Sequence, residues 1–121
     1  MKYILLIWNN AEYLEALPAP ERDAIFADVD KIMAELTETG EFVVGQALGH
    51  PSNTKTVRVT DGLPVAVDGP FAESKEQLAG YLIVDVESEQ RAVDIAGRWP
   101  DARYGAMEVR AIMHETGELF P

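Results

Sequence analysis

Between positions 68 and 76 the chain reads Asp68-Gly69-Pro70-Phe71-Ala72-Glu73-Ser74-Lys75-Glu76, which gathers carboxylates, a hydroxyl and an ammonium into one short stretch. Asp68 closes an apolar run and precedes Gly-Pro. A carboxylate there can project into a cleft and take or release a proton as its surroundings dictate. Lys75 offers a cation to an anionic substrate group while Glu73 or Asp68 moves the proton, which makes Asp68, Glu73 and Lys75 the catalytic candidates. The same residues have a structural reading. Asp-Gly-Pro is turn chemistry, with the carboxylate bonding backbone amides. Ser74 and Gln77 fit a capping box for a helical turn, and Glu73, Lys75 and Glu76 then pin a loop through salt bridges.

Four further residues are candidates for holding a substrate. Arg58 alternates with Val57 and Val59, so it faces the other way and can point at the 68–76 segment, where it pairs with Asp68 or Glu73 or contacts a ligand. Phe71 and Tyr81, with Trp8 and Trp99, can line an apolar pocket, although core or interface packing serves such rings equally. His50 and His114 are the histidines, the side chains whose ordinary titration falls near neutrality. His50 sits before Pro51 in a loop and is the binding candidate of the two. Two distant histidines make no metal-ligand spacing. Arg110 beside Glu108 reads as a cross-strand partner.

The rest of the composition narrows the classes. There is no Gly-rich phosphate loop, zinc pattern or Gly-x-Ser-x-Gly elbow, so no cofactor or metal is expected. The chain has no cysteine, which excludes disulfides, thiolate metal sites and a cysteine nucleophile. With 21 acidic residues against 10 Lys and Arg, its formal charge is −11. A field of that sign repels phosphate backbones and anionic bilayers, so neither nucleic acid nor membrane is an expected partner. The apolar start, Tyr3 to Trp8, is too brief for a signal core and runs into Asn9-Asn10 and Glu12. It reads as a buried strand of a cytoplasmic protein.

The elements that must position these groups follow from periodicity. At 121 residues, 47% of them apolar, a single globular domain over 1–121 is expected, small enough that pairing with a second copy adds useful burial. Tyr3–Trp8 is a strand, and 11–17 holds a helical turn ended by Pro18. From Pro20, the positions Ile25, Phe26, Val29, Ile32, Met33 and Leu36 share one helical face over about five turns, and Gly40 caps the end. Phe42–Leu48 is a second strand. Lys55–Thr60 and Pro64–Val67 form a hairpin across Asp61-Gly62-Leu63. Gly80–Val86 is a strand, and Ser88 caps a helix through Arg98 that carries Ala92, Val93, Ala96 and Trp99 to the stop at Pro100. Tyr104–Met113 alternates, with Met107, Val109, Ala111 and Met113 on the buried side. This order predicts an α+β ferredoxin-like βαββαβ fold with an inserted hairpin. Its second sheet face needs cover, which two packed sheets supply as a dimeric α+β barrel.

Several segments together resemble the YCII-related family, of the DGPF type, over nearly the whole chain. They are Met1 to Ile7, Thr56-Val57-Arg58, Asp68 to Glu76 with Gly80-Tyr81, and Glu108-Val109-Arg110. The departures are Ser74 where the family usually has threonine, and Ala111 where it often has proline. The resemblance implies a ferredoxin-like dimeric barrel, an enzymatic role that is poorly defined, and genetic association with extracytoplasmic-function sigma factors. Members of the wider group have been suggested to use a His and Asp pair; this chain has no histidine in the first helix region.

The expectation from residues and resemblance together is a homodimeric, cofactor-free small-molecule enzyme or ligand-binding protein. Its cleft is bordered by Asp68, Arg58, Glu73 and Lys75. The alternative is a regulatory or interaction protein associated with a sigma factor, and a plainer one is a dimer whose 68–76 loop is structural.

Overall fold

The computed structural model describes residues 1–117. Six strands and four helices follow one another as β1 (Lys2–Asn9), α1 (Ala11–Ala16), α2 (Ala19–Thr39), β2 (Phe42–Ala47), β3 (Lys55–Thr60), β4 (Leu63–Asp68), β5 (Gln77–Asp85), α3 (Glu89–Arg98), α4 (Asp101–Tyr104) and β6 (Ala106–Ala111). A four-stranded antiparallel sheet has the order β2-β5-β1-β6, and β3 pairs only with β4 in a separate two-stranded sheet. With the hairpin set aside, this is the ferredoxin-like α+β arrangement the periodicity predicts.

Local chemistry accounts for the boundaries. Asn10 caps α1 by accepting from the amides of Glu12 and Tyr13. Gly40, at φ 78°, ends α2, and the next amide, Glu41, reaches back to the Leu36 carbonyl at 2.9 Å. Ser88 caps α3 through the Arg91 amide at 3.1 Å. Asp61 and Gly62 both have positive φ, the pair of left-handed residues that a two-residue turn needs to match strand twist.

The core lies between the sheet and the helices. Tyr3 and Leu5 of β1 and Leu82 and Val84 of β5 pack with Ile32 and Leu36 of α2 and with Ala92, Ile95 and Ala96 of α3. Period two sends alternate residues of one strand to this face, and the registers Tyr3↔Val84 and Leu5↔Leu82 keep the two central strands in step. The apolar stripe of α2 divides along its length. Ile32 and Leu36 enter the core, whereas Ile25, Val29 and Met33 stand over a hollow and Phe26 is exposed.

Four expectations from sequence need correction. No helical turn forms at Ser74–Gln77, because β5 already starts at Gln77 and pairing with β1 outweighs the local capping pattern; Asn9 lies opposite Gln77. The last strand ends at Ala111, and Met113 is exposed rather than buried. Beyond Pro100 the chain makes another short helix, α4, before the strand begins. Val93 of α3, expected on the buried side, is exposed, and Ile95 holds the buried position.

Candidate functional site

Small residues on the sheet open a cavity of about 730 Å³ beneath α1 and the first half of α2. Where the core is filled, β1 and β5 present Leu5, Leu82 and Val84 to the helices. One step along, Gly45 and Ala47 of β2 lie opposite Leu82 and Gly80 of β5, so beyond Leu82 the sheet raises almost no side-chain volume at Gly45, Ala47 and Gly80. A methyl group at Gly80 would stand 2.6 Å from the Gln46 carbonyl, so strand contact itself demands glycine there. Ile7, Leu14, Ile25, Val29 and Met33 complete apolar walls.

Polar groups enter this space at defined points. Asp101 is buried, with 9% of its surface exposed, and its Oδ2 accepts a 2.9 Å hydrogen bond from Asn9 Nδ2. Asp101 opens α4 directly after Trp99-Pro100, and Asn9 ends β1, so the pair ties the helix to the tip of the central strand. Glu15 of α1 lies on the lining, and its Oε1 is 3.4 Å from Nε2 of His50. His50 is oriented from its other side: Nδ1 accepts from the Ser52 amide at 3.1 Å and lies 2.8 Å from the Ser52 hydroxyl. In the neutral ring this leaves the proton on Nε2, facing Glu15. Arg22 and Asp23 border the cavity from α2, and Arg22 makes no ion pair among the described residues. Tyr81 also borders it and donates its hydroxyl to Gln46 Oε1 at 2.7 Å.

Of the residues singled out from sequence, Tyr81 and Trp99 line this cavity, and His50 reaches its lining through Glu15. The others lie elsewhere. Asp68 ends β4 opposite Lys55, and their side chains form an ion pair in which Asp68 remains 82% exposed. Arg58 stacks over the Phe71 ring at 4.6 Å, and Phe71 is exposed. Glu73 and Lys75 are exposed and lie in the loop before β5. That loop is held by Gln77, whose Nε2 donates to the carbonyls of Ala72 and Ser74, and by the Ser74 hydroxyl bonded to the Glu76 carbonyl. The loop is thus clamped by Gln77 and Ser74, not by the salt bridges expected of Glu73, Lys75 and Glu76, which make none among the described residues. Asp68, Glu73 and Lys75 do not border the cavity.

Sequence reasoning did not single out Asp101, Asn9, Arg22 or Glu15 as functional. Two signals for them exist. Asp101 follows Trp99-Pro100 in a place where a helix has stopped and no strand has begun. The small residues Gly45, Ala47, Ala79 and Gly80 recur on two adjacent strands.

The helix-covered antiparallel sheet and its one-sided cavity define a small α+β protein of ferredoxin-like topology with a ligand-sized hollow. Residues 1–116 match the YCII-related domain, and the chain belongs to that family. An uncharacterised protein of Rhizobium meliloti (strain 1021) is 30% identical over 122 residues, 98% of either chain. Among solved structures, the 5-chloro-2-hydroxyhydroquinone dehydrochlorinase of Burkholderia phenoliruptrix, in complex with 2,5-dihydroxybenzoquinone, is similar. Its TM-score is 0.56 at 16% identity, over 95% of this chain and 96% of that one. At that identity the likeness concerns the fold. Among the described residues no helix is long and apolar enough to cross a membrane, and no cluster of His, Asp and Glu is arranged to hold a metal ion.

Proposed function

We propose that this chain is a small-molecule enzyme or ligand-binding protein whose ligand occupies the cavity beneath α1 and α2, with acid–base work done by its own side chains. The observation that carries this reading is the cavity's chemistry: apolar walls, a buried Asp101 carboxyl fixed by Asn9 at one point, and the Glu15–His50 pair at another. A concave apolar space with a few placed polar groups is the usual form of a small-molecule site. Asp101 and Glu15 are the candidate proton carriers, and Arg22 is the candidate cation for an anionic oxygen on the ligand.

The volume suits a ring carrying a few substituents. The like-folded dehydrochlorinase acts on a chlorinated hydroxyhydroquinone and was solved with a dihydroxyquinone. Hydroxylated benzoquinones and hydroquinones are therefore the first probes. Thermal-shift and NMR titration with 2,5-dihydroxybenzoquinone and chlorinated hydroquinones would raise the melting temperature and move the signals of Asn9, Gly80 and Val29. Val29→Trp, which fills the hollow from a half-buried helix position, should abolish both effects. Unchanged binding to Val29→Trp, or no response to any ring compound, would refute the reading.

A further inference from the structure

The cavity is roofed by two helices of unequal anchorage. α2 carries Ile32 and Leu36 into the core, so its first half cannot lift without disturbing buried packing. α1 buries none of its six residues. A helix that short is far below the roughly 12–15 residues at which one begins to hold alone in water, so α1 stays where its neighbours keep it. The chain is extended on either side of it, at Asn10 (φ −99°, ψ 107°) and at Leu17 and Pro18 (ψ 143° and 147°). These joints make α1 a separate flap, with Leu14 and Glu15 on the cavity lining.

The flap is held through side chains. Tyr13 meets Tyr104 of α4 with ring centroids 6.0 Å apart, an aromatic contact indifferent to charge. Glu15 meets His50, and His50 is the fixed half of that contact. Pro51–Asn53 forms a 3-10 turn in which the Asn53 amide donates to the His50 carbonyl at 2.9 Å, and Ser52 engages Nδ1, which leaves Nε2 to Glu15. The Leu48 amide donates to the Ala79 carbonyl at 2.8 Å and ties the same loop to β5.

The surroundings make this contact sensitive to protonation. Glu15 is the one carboxylate within 4 Å of the imidazole among the described residues. Arg22 and Asp23 border the cavity from α2, one charge of each sign, and β5 meets the loop through uncharged Ala79. A neutral imidazole offers Glu15 a single hydrogen-bond donor, whereas the protonated ring adds a full charge.

We propose that α1 is a lid over the cavity, hinged at Asn10 and Leu17–Pro18 and latched by Glu15 on His50, and that the latch tightens when His50 takes up a proton. The inference rests on the cavity being the ligand site and adds how entry to it is controlled. A closed lid keeps water from a bound ring. The ion pair exists at pH values between the ordinary ranges of a carboxylate and an imidazole, and is lost above the second. Acidification through about pH 6.5 therefore slows both entry and release.

Thiol labelling tests this, because the chain has no cysteine and one introduced thiol reports alone. Val29→Cys is a small change on the cavity lining, and N-phenylmaleimide is an uncharged ring that must pass the lid to reach it. Labelling rates are compared at equal pH in Val29→Cys with and without His50→Gln or Glu15→Gln, so that thiol ionisation cancels. Both added substitutions fall on exposed side chains, and far-UV circular dichroism confirms folding. At about pH 5.5 each should speed labelling by about two- to fivefold, both together no more than either alone, and the gain should shrink by about pH 8. Rates unchanged by either substitution at both pH values would overturn the lid. Additive effects would overturn the contact as its latch, and a gain equal at both pH values would overturn the role of the His50 proton. No ligand enters the measurement, so a chain that shows the gain yet binds no ring compound keeps its lid and refutes only the ligand reading above.

Discussion

Asn9 and Asp101, 92 positions apart, meet at 2.9 Å where the end of the central strand touches the start of α4, and their bond places the one charged side chain found buried among the described residues at the cavity. Asn9 is half-buried, and an amide so placed whose carboxylate partner is removed keeps much of its desolvation cost and loses its hydrogen bond. Asp101→Ala should therefore lower unfolding stability by about 1–3 kcal/mol in urea titration. Asp101→Asn, which keeps the shape and an acceptor oxygen, should cost less than Asp101→Ala while weakening any proton-dependent binding of 2,5-dihydroxybenzoquinone. Equal stability loss in the two variants would show that the hydrogen bond is not what Asp101 contributes.

Glu41 and Arg91 make a bidentate pair at 2.8 Å, joining the end of α2 to α3. The Arg91 hydrogen bonds, assisted by Thr39 and by the charge of Arg91, hold the Glu41 carboxyl down at about 2, below its ordinary 4.5. Because the folded value is the lower one, the pair's contribution is complete above about pH 4.5 and is lost as pH falls toward about 2. Glu41→Gln should cost about 1–3 kcal/mol at neutral pH, and the difference from the parent chain should shrink as the pH falls through that window. Urea unfolding at a series of pH values measures it. A difference that stays constant down to about pH 2 would contradict the assignment.

Glycines separate into those the packing demands and those it does not. A methyl group at Gly105 would stand 2.0 Å from the Trp8 carbonyl and 2.7 Å from Glu76 Oε2, and the first of these is fixed backbone. Gly105→Ala should then disrupt β1–β6 pairing and lower the melting temperature strongly. Gly97 lies inside α3 with nothing within 4 Å of the added methyl group. Gly97→Ala should stabilise the protein by about 0.5–1 kcal/mol, since alanine restricts the unfolded chain and favours helix. Thermal unfolding of the two variants should move in opposite directions.

Much of the fold is written in short-range chemistry, which is why it is legible in the sequence. Gly40 behind the apolar stripe of α2, Ser88 ahead of α3 and Asp61-Gly62 between two β-branched runs each act through neighbours within a few residues. The cavity is another matter. Gly45 reads singly as a strand interruption and Gly80 as the start of a strand, and only the register of β2 against β5 shows that they hollow the same patch. Asp101 looks like a linker residue until β1 brings Asn9 to it. In the Asp68–Glu76 segment, the residue types that suggest catalysis are also those that make turns, and cross-strand pairing with Lys55 engages Asp68 on the hairpin. Ser74 and Gln77 carry a helix-capping pattern, but the pull of the β1–β5 ladder draws Gln77 into a strand.

The Glu15–His50 contact makes a prediction that needs no ligand. His50 Nδ1 is occupied as an acceptor by the Ser52 amide, so the neutral ring carries its proton on Nε2, 3.4 Å from Glu15. Both side chains are largely exposed, and such a pair is worth under about 1 kcal/mol, so His50→Ala should leave global stability nearly unchanged. What it should change is local. α1 is a short helix with no buried residue of its own, and loss of its tie to the β2–β3 loop should speed hydrogen exchange at Tyr13 to Ala16 while the core amides of Leu5 and Leu82 stay protected. Nitrogen-15 correlation spectra of the parent chain should show the Nε2–H tautomer for His50 and, by contrast, no such fixed preference for the exposed His114. An Nδ1–H tautomer at His50, or exchange in α1 that ignores His50→Ala, would mean that the imidazole does not hold Glu15 at the rim of the cavity.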